Sequence, residues 1–218
     1  MQGSTLERLA PLTGVVFVVL FVAAAILIGE GVDPEDGVEE VLEYYDDNEG
    51  AIFAGSALGG LAGVFLIFFG GVVRRVLRDA EGPGHTLSAV AFGGAIALAV
   101  AIAVGASLSI ALAESFDDID PVAAEALNAL GWNYYIPFAL GMATFTLASG
   151  ISIVRHGALP AWFGWVAVVL GILDVTPVGF FAFLASLLWI LIASVWLYRE
   201  GGPESTTAPP PPPTVPTA

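Results

Sequence analysis

Residues 51–73 read AIFAGSALGGLAGVFLIFFGGVV and are followed at once by Arg74 and Arg75. This stretch of 23 residues carries no charge, and a helix needs only ~20 apolar residues to cross a ~30 Å hydrocarbon layer. The sequence therefore predicts that residues 51–73 form a membrane-spanning helix.

Five further apolar stretches extend this prediction to most of the chain, which is 57% hydrophobic and only 12% charged. The last apolar stretch is too long for one crossing, and Pro177 and Gly179 favour a turn inside it. We therefore predict an all-α fold, a polytopic transmembrane helical bundle with six spans in one transmembrane domain, residues 1–199. The predicted spans are residues 12–29, 51–73, 87–112, 132–154, 161–175 and 178–198.

The two ends of the chain leave alternatives open. The first apolar stretch, after Arg8, is longer than the apolar core of most signal peptides, and no clear cleavage site follows it. We interpret it as a retained helix, with a cleaved signal peptide as the alternative. Residues 200–218 are rich in proline and are predicted to be a disordered cytoplasmic tail, or else a docking peptide for a proline-reading domain.

The charges predict the orientation of the bundle. In the six-span arrangement all the arginines fall on one side, whereas sixteen acidic residues lie in the opposite loops. Short loops rich in arginine stay in the cytoplasm, so we predict a multi-pass plasma-membrane protein with both termini cytoplasmic. The arginines are Arg8, Arg74, Arg75, Arg78, Arg155 and Arg199. Aromatic side chains at the predicted membrane surfaces serve as interface anchors: Trp132 and Tyr134 outside, and Trp162 and Trp165 inside.

Both long outer loops contain the signals of a short amphipathic helix. Asp33-Pro34 and Asp120-Pro121 each combine a capping side chain with a proline suited to the first helical turn. We expect the first helix to lie across the bundle and to end at Gly50. The apolar stripes are Val38, Val41, Leu42 and Tyr45 in the first helix, and Val122, Ala126, Ala129 and Leu130 in the second. The acidic loop surface either binds cations or a basic partner, or simply keeps these helices hydrated.

Small residues recur at four-residue spacing on two predicted spans. Close backbone approach at such positions supplies the van der Waals contact that holds helices together in lipid. The candidate helix-packing residues are Gly55, Gly59 and Gly63 on the second span, and Ala97, Ala101 and Gly105 on the third. Both packing inside one subunit and a homodimer face are compatible with this pattern.

Few residues suggest chemistry. Asp174 is the one charged residue inside a predicted span; it is a candidate for proton or ion transport, or for capping the turn. Thr144, Ala148 and Ser152 share a helix face, which is a candidate lining for a narrow path. No cysteine is present, His85 and His156 are isolated, and no catalytic or phosphate-binding motif is found, so we predict neither enzymatic activity nor a metal or cofactor.

The net charge of −15 argues against a nucleic-acid partner.

The segment RHGALPAWFGW, from Arg155 to Trp165, is followed by a short helix, a Pro-Gly turn and an apolar helix that ends at Arg199. This arrangement resembles a broad group of uncharacterised bacterial six-helix membrane proteins, common in actinobacteria and known only as a domain of unknown function. The resemblance is clearest over residues 155–199, and it implies the six-helix fold but no activity.

Two functions from different classes remain. The first is a non-enzymatic accessory, scaffold or sensor subunit that acts through a homo-oligomer or another membrane subunit. The second is a small-solute or ion transporter or channel, which Asp174 and the short fifth span would favour.

Overall fold

A computed structural model of the protein describes residues 5–84 and 86–200. Every regular element within these ranges is a helix. The elements are α1 (Thr5–Leu9), a short 3₁₀ turn (Ala10–Leu12), α2 (Thr13–Ile28), α3 (Val38–Glu81), α4 (Thr86–Ser115), α5 (Pro121–Trp132), α6 (Tyr135–His156), α7 (Ala161–Asp174) and α8 (Gly179–Glu200). The predicted tail after Glu200 lies outside the described residues.

Five stretches of helix are long and apolar enough to cross a membrane. They are Glu7–Ile28, Val38–Glu81, Thr86–Ser115, Pro121–His156 and Gly179–Arg199. The predicted fifth span corresponds to α7, whose 14 residues make it shorter than the others. The chain is therefore a helical protein suited to a bilayer, and α7 is the helix on which a count of six spans depends.

Consecutive spans run in opposite directions. The arginines of α3, α6 and α8 therefore collect at one end of the bundle, and most of the acidic residues at the other. Near Arg199, the rings of Trp162 and Trp196 lie 6.0 Å apart. At the other end, the Tyr135 hydroxyl donates a 3.2 Å hydrogen bond to the backbone oxygen of Asp174. We call the end with the arginines of α3, α6 and α8 the arginine end, and the opposite end the acidic end.

Helix α3 corrects one prediction. It runs unbroken for 44 residues, so the first outer loop contains no separate helix lying across the bundle. Asp33 and Pro34 belong instead to a turn, in which Asp33 Oδ1 accepts a 2.9 Å hydrogen bond from the Glu35 backbone N–H. The helix begins at Val38, after Gly37 with a φ of 93°.

The apolar stripe of the first outer loop continues into the span. Val41, Tyr45 and Ile52 are all buried, and they pack with Leu112 of α4 and Ala124 of α5. Since these positions share one helix face across Gly50, the helix continues through this glycine. The second outer helix, α5, does form, and Asp120 Oδ1 accepts a 2.9 Å hydrogen bond from the Val122 backbone N–H at its start.

These segments build a small second core at the acidic end. We call the cap the assembly of residues 38–50 of α3, residues 112–115 of α4, and α5. Two side chains tie the α2–α3 connection to it: Asn128 Nδ2 donates a 3.0 Å hydrogen bond to the Val32 carbonyl, and the Tyr44 hydroxyl donates one to the Ile28 carbonyl. The cap is therefore a packed unit joined directly to the spans.

Aromatic side chains fill the half of the bundle nearer the arginine end. Phe163 and Trp189 stack with ring centroids 4.9 Å apart, and Trp189 Nε1 donates a hydrogen bond to the Phe163 carbonyl. Phe145 contacts both Trp189 and Phe69. These four rings are all buried, so they fill the interior between α3, α6, α7 and α8.

Glycines set the distances between the helices. A Cβ added to Gly55 would lie 3.1 Å from the Ala24 carbonyl oxygen of α2, and one on Gly63 would lie 3.6 Å from Ala99 Cβ of α4. Gly59 lies between the same two helices. The three glycines of α3 thus pack inside this chain.

The predicted stripe on α4 is divided in the structure. Ala101 is buried, but Ala97 is exposed and therefore does not pack inside this chain. A Cβ on Gly94 would lie 2.8 Å from Phe145 Cα of α6, and one on Gly105 would lie 3.5 Å from the Phe138 ring. The α4–α6 contact therefore includes Gly105 of the predicted stripe and is closer at Gly94, which the sequence did not single out.

Candidate functional site at the acidic end

A cavity of about 540 Å³ lies beneath the cap. Its walls come from α2, α3, α4, α5, α6 and α8, and its lining is mainly apolar. On α3 the lining residues extend from Tyr44 in the cap to Gly59 in the span, a distance of about 22 Å at 1.5 Å per residue. The volume lies within the range of about 300–1,000 Å³ that is typical of small-molecule sites.

Aromatic contacts close the cavity on its inner side. Phe183 of α8 lies 5.8 Å from the ring of Phe21 and 6.3 Å from that of Phe138. Phe21 in turn contacts Phe17, which is fully buried. The cavity therefore ends above the aromatic core and does not continue to the arginine end.

The cavity is open on one side. Its most exposed large lining residues are Phe180 and Leu184 at the start of α8, at 60% and 48%, and Trp132 at the end of α5, at 50%. Phe180 and Leu184 belong to an apolar helix that is long enough to cross a membrane. The opening therefore lies beside exposed apolar residues at the acidic end of this helix.

Ser56 is the unusual polar group of this site. Its side chain is only 4% exposed, it lines the cavity, and its Oγ has no hydrogen-bond partner among the described residues. Serines within helices commonly bond to the carbonyl one turn earlier, as Ser107 does to Ala103 at 2.9 Å. Ser56 therefore keeps both a donor and an acceptor for something inside the cavity.

Three other polar groups of the lining are already engaged, and the described lining contains no charged side chain. Asn128 Nδ2 and the hydroxyls of Tyr44 and Tyr135 all donate to backbone carbonyls. Because a serine at this position looks like any hydroxyl within a span, sequence reasoning did not single out Ser56. What distinguishes Ser56 is that its hydroxyl has no partner nearby, and this depends on the three-dimensional arrangement of the helices.

Asp174 lies outside the cavity. Its side chain is 0% exposed, because the buried face of α7 carries Ala167, Gly171 and then Asp174. Oδ2 accepts a 3.2 Å hydrogen bond from Ser186 Oγ of α8, and Oδ1 has no partner within the described part of the chain. The carboxylate therefore links α7 to α8 and is not a solvated turn cap.

Five predicted positions, Gly55, Gly59, Gly105, Trp132 and Tyr134, belong to the lining of the cavity, whereas Trp162 and Trp165 do not. Trp132, Trp162 and Trp165 are exposed around the bundle, and Tyr134 is partly exposed. The predicted hydroxyl face of α6, Thr144, Ala148 and Ser152, does not border the cavity, and Thr144 bonds to the Leu140 carbonyl. Ser152 bonds to Glu81. Residues 5–84 and 86–200 contain no group of three acidic or histidine side chains that could hold a metal, and His85 lies outside them.

The pKa values of two neighbouring tyrosines in the cap, Tyr44 and Tyr45, are raised. Burial raises the pKa of Tyr45 to about 12, and the adjacent Tyr44 phenol adds to this effect. Burial also raises the pKa of Tyr44 itself. Both phenols are therefore neutral at physiological pH, although exposed acids surround them in sequence.

Comparison with family models, with curated proteins and with solved structures finds no match to this chain, so its function has to be argued from the cavity and the cap.

Proposed function

We propose that this protein is a non-enzymatic accessory, scaffold or sensor subunit of the plasma membrane, with six spans and both termini in the cytoplasm. The observation that carries this proposal is the continuity between cavity and cap. Ile52 and Ser56 line the cavity on the same unbroken helix that carries Val41 and Tyr45 into the cap core. A change in the cavity therefore acts on the cap through one rigid element.

The cap offers the surface for a partner. Its exposed side is acidic, and ten acids lie between residues 30 and 49. Such a surface attracts a basic partner, and complementary charge raises the rate and selectivity of association. The exposed acids of α3 in this region are Glu39, Glu40, Glu43, Asp46, Asp47 and Glu49.

Charge reversal within the cap tests this proposal. The tagged full chain is isolated from its native membrane in mild detergent, and its mass is measured by light scattering. We expect a second protein to co-purify with the parent chain. It should be lost when Glu43 and Asp47 are both replaced by lysine, because the paired charges then repel.

A matched control lies at the other end of the same helix. Asp79 is exposed and makes only a surface ion pair with Arg78 at 3.3 Å, so Asp79→Lys should leave the partner bound. Recovery of the parent chain alone, or equal loss of the partner in both variants, would overturn the proposal.

Asp174 favours a second function, a small-solute or ion transporter. A fully buried carboxylate with one unpartnered oxygen is costly in a membrane protein and is a usual feature of transport pathways. This function predicts flux in proteoliposomes that falls with Asp174→Asn. Equal flux in the parent and this variant, or no flux in the parent, would remove it. We rank this function second, because buried aromatic rings fill the bundle between the cavity and the arginine end.

The resemblance of residues 155–199 to uncharacterised bacterial six-helix membrane proteins is compatible with the first function. It stays a prediction, and since that group has no known activity it transfers no functional residue to this chain.

A further inference from the structure

We propose that the cavity beneath the cap binds one uncharged lipid with a single hydrocarbon chain and a hydroxyl or carbonyl group, which bonds to Ser56. This inference deepens the proposed sensor role and rests on it for its consequence, since it names what the sensor would detect. It can be tested on the purified chain without any partner, so failure of one proposal is distinguishable from failure of the other.

The shape of the cavity favours a hydrocarbon chain. The lining extends for about 22 Å along α3, and its walls are aliphatic and aromatic. An elongated apolar molecule fills such a space and removes its walls from water. The exposed lining residues Phe180 and Leu184 put the opening beside lipid, so that a membrane molecule can enter sideways without crossing water.

The hydroxyl of Ser56 needs a polar atom on the ligand as its hydrogen-bond partner. A buried hydroxyl without a partner is unfavourable, and either a hydroxyl or a carbonyl on the ligand would satisfy it. No other residue of the lining carries a buried side-chain polar atom without a partner among the described residues. One polar group on the ligand is therefore sufficient.

The charge around the cavity excludes an anionic ligand. The described lining offers no arginine or histidine that could pair with a carboxylate or phosphate. In addition, fifteen acids lie in the two outer segments, residues 30–49 and 114–125, and their field repels anions near the mouth of the cavity. The ligand is therefore neutral, which separates it from the common anionic phospholipids and from fatty acids.

A photoreactive pair of probes tests this proposal. The purified full chain in mild detergent is irradiated with hexadecanol that carries a diazirine in mid-chain, or with the matching hexadecanoic acid. Labelled peptides are then identified by mass spectrometry. We expect labelling of cavity residues such as Phe21, Phe138 or Phe183 by the alcohol at least 10-fold above the acid, and competition by unlabelled hexadecanol.

Two adjacent glycines give a matched pair of variants. A Cβ on Gly59 would lie 3.6 Å from Ile102 Cγ2, which is ordinary contact, so Gly59→Leu adds its bulk at a lining position where the first side-chain atom is accommodated. Gly60 is exposed with nothing within 4 Å of its Cβ, so Gly60→Leu adds the same bulk outside the cavity. Cavity labelling should be lost in the first variant and kept in the second.

Ser56→Ala measures the polar contact. Loss of one hydrogen bond should lower labelling by the alcohol about 5-fold. Equal labelling by the acid and the alcohol, labelling restricted to lipid-facing residues, or equal labelling of Gly59→Leu and Gly60→Leu would each overturn the proposal. Should Gly59→Leu fail to fold, competition in the parent chain decides, and cavity labelling that excess hexadecanol does not reduce would overturn it.

Discussion

Ser152 Oγ of α6 donates a 2.7 Å hydrogen bond to Oε1 of Glu81, which lies 71 residues earlier at the end of α3. The same carboxylate accepts a 2.8 Å bond from the Ser88 backbone N–H and a 3.0 Å bond from its hydroxyl, at the start of α4. One side chain thus joins three helices at the arginine end.

Removing this carboxylate should destabilise the bundle. Glu81→Ala takes from buried Ser152 its described partner, and hydrogen bonds to charged groups contribute more than neutral ones, so we expect a loss of about 1–2 kcal/mol in the free energy of unfolding. The measurement is unfolding by dodecyl sulfate in mixed micelles. Asp79→Ala, two residues earlier and exposed, is the control and should change the stability by less than about 0.5 kcal/mol. Equal losses in the two variants would contradict the role of Glu81.

The α4–α6 contact predicts opposite outcomes for two adjacent glycines. A Cβ at Gly94 would lie 2.8 Å from Phe145 Cα and closer still to the Phe145 nitrogen, whereas Gly93 has nothing within 4 Å. Gly94→Ala should therefore cost about 1–3 kcal/mol, because the two backbones must separate. Gly93→Ala should be neutral or slightly stabilising, since alanine favours the helix. Similar unfolding curves for both variants would show that the helices are not this close.

The cap should lose stability in alkali through Tyr45. Burial raises the pKa of this phenol from 10.0 to about 12. Below pH 10 the phenol is neutral whether the cap is folded or not, so its contribution is fully present. Between pH 10 and 12 the unfolded cap releases the proton first, and the stability falls. Tyr45→Phe should therefore remove part of the loss of stability between pH 10 and pH 12.

A spectrophotometric titration at 295 nm checks the same group directly. The difference between the parent chain and Tyr45→Phe should show a phenol that ionises near pH 12. A difference curve centred near pH 10 would mean that Tyr45 is not buried in solution.

The absence of cysteine allows a direct test of orientation. Asp47 in the cap and Asp79 near the arginine end are both exposed on α3. Since arginine-rich segments stay in the cytoplasm, a membrane-impermeant maleimide should label Asp47→Cys in intact cells. It should label Asp79→Cys only after the cells are permeabilised. The reverse pattern would invert the assigned topology.

The sequence predicted the helical architecture well where the signal is local. Long charge-free stretches predict apolar helices, and Asp120-Pro121 and the Pro177-Gly179 turn mark helix ends that the structure has. The predicted end of the first outer helix at Gly50 was wrong. One apolar face of α3 continues across this glycine, and tertiary packing outweighs its low helix propensity.

The close contacts and the cavity were beyond prediction from sequence. A small residue on an apolar helix has the same local pattern whether it meets a neighbour, as Gly94 does, or faces outward, as Ala97 does. Which pattern applies depends on the rotation of the helix within the bundle. The unpartnered state of Ser56 depends likewise on what surrounds it in three dimensions.

The unbroken length of α3 has a mechanical consequence. Its 44 residues extend about 66 Å at 1.5 Å per residue, more than twice the ~30 Å hydrocarbon layer. A stiff rod of this length acts as a lever: a tilt of about 5° around its arginine end displaces the opposite tip by about 6 Å. A small adjustment among the packed spans would therefore become a movement at the exposed acidic tip that is large enough to make or break contact with another molecule.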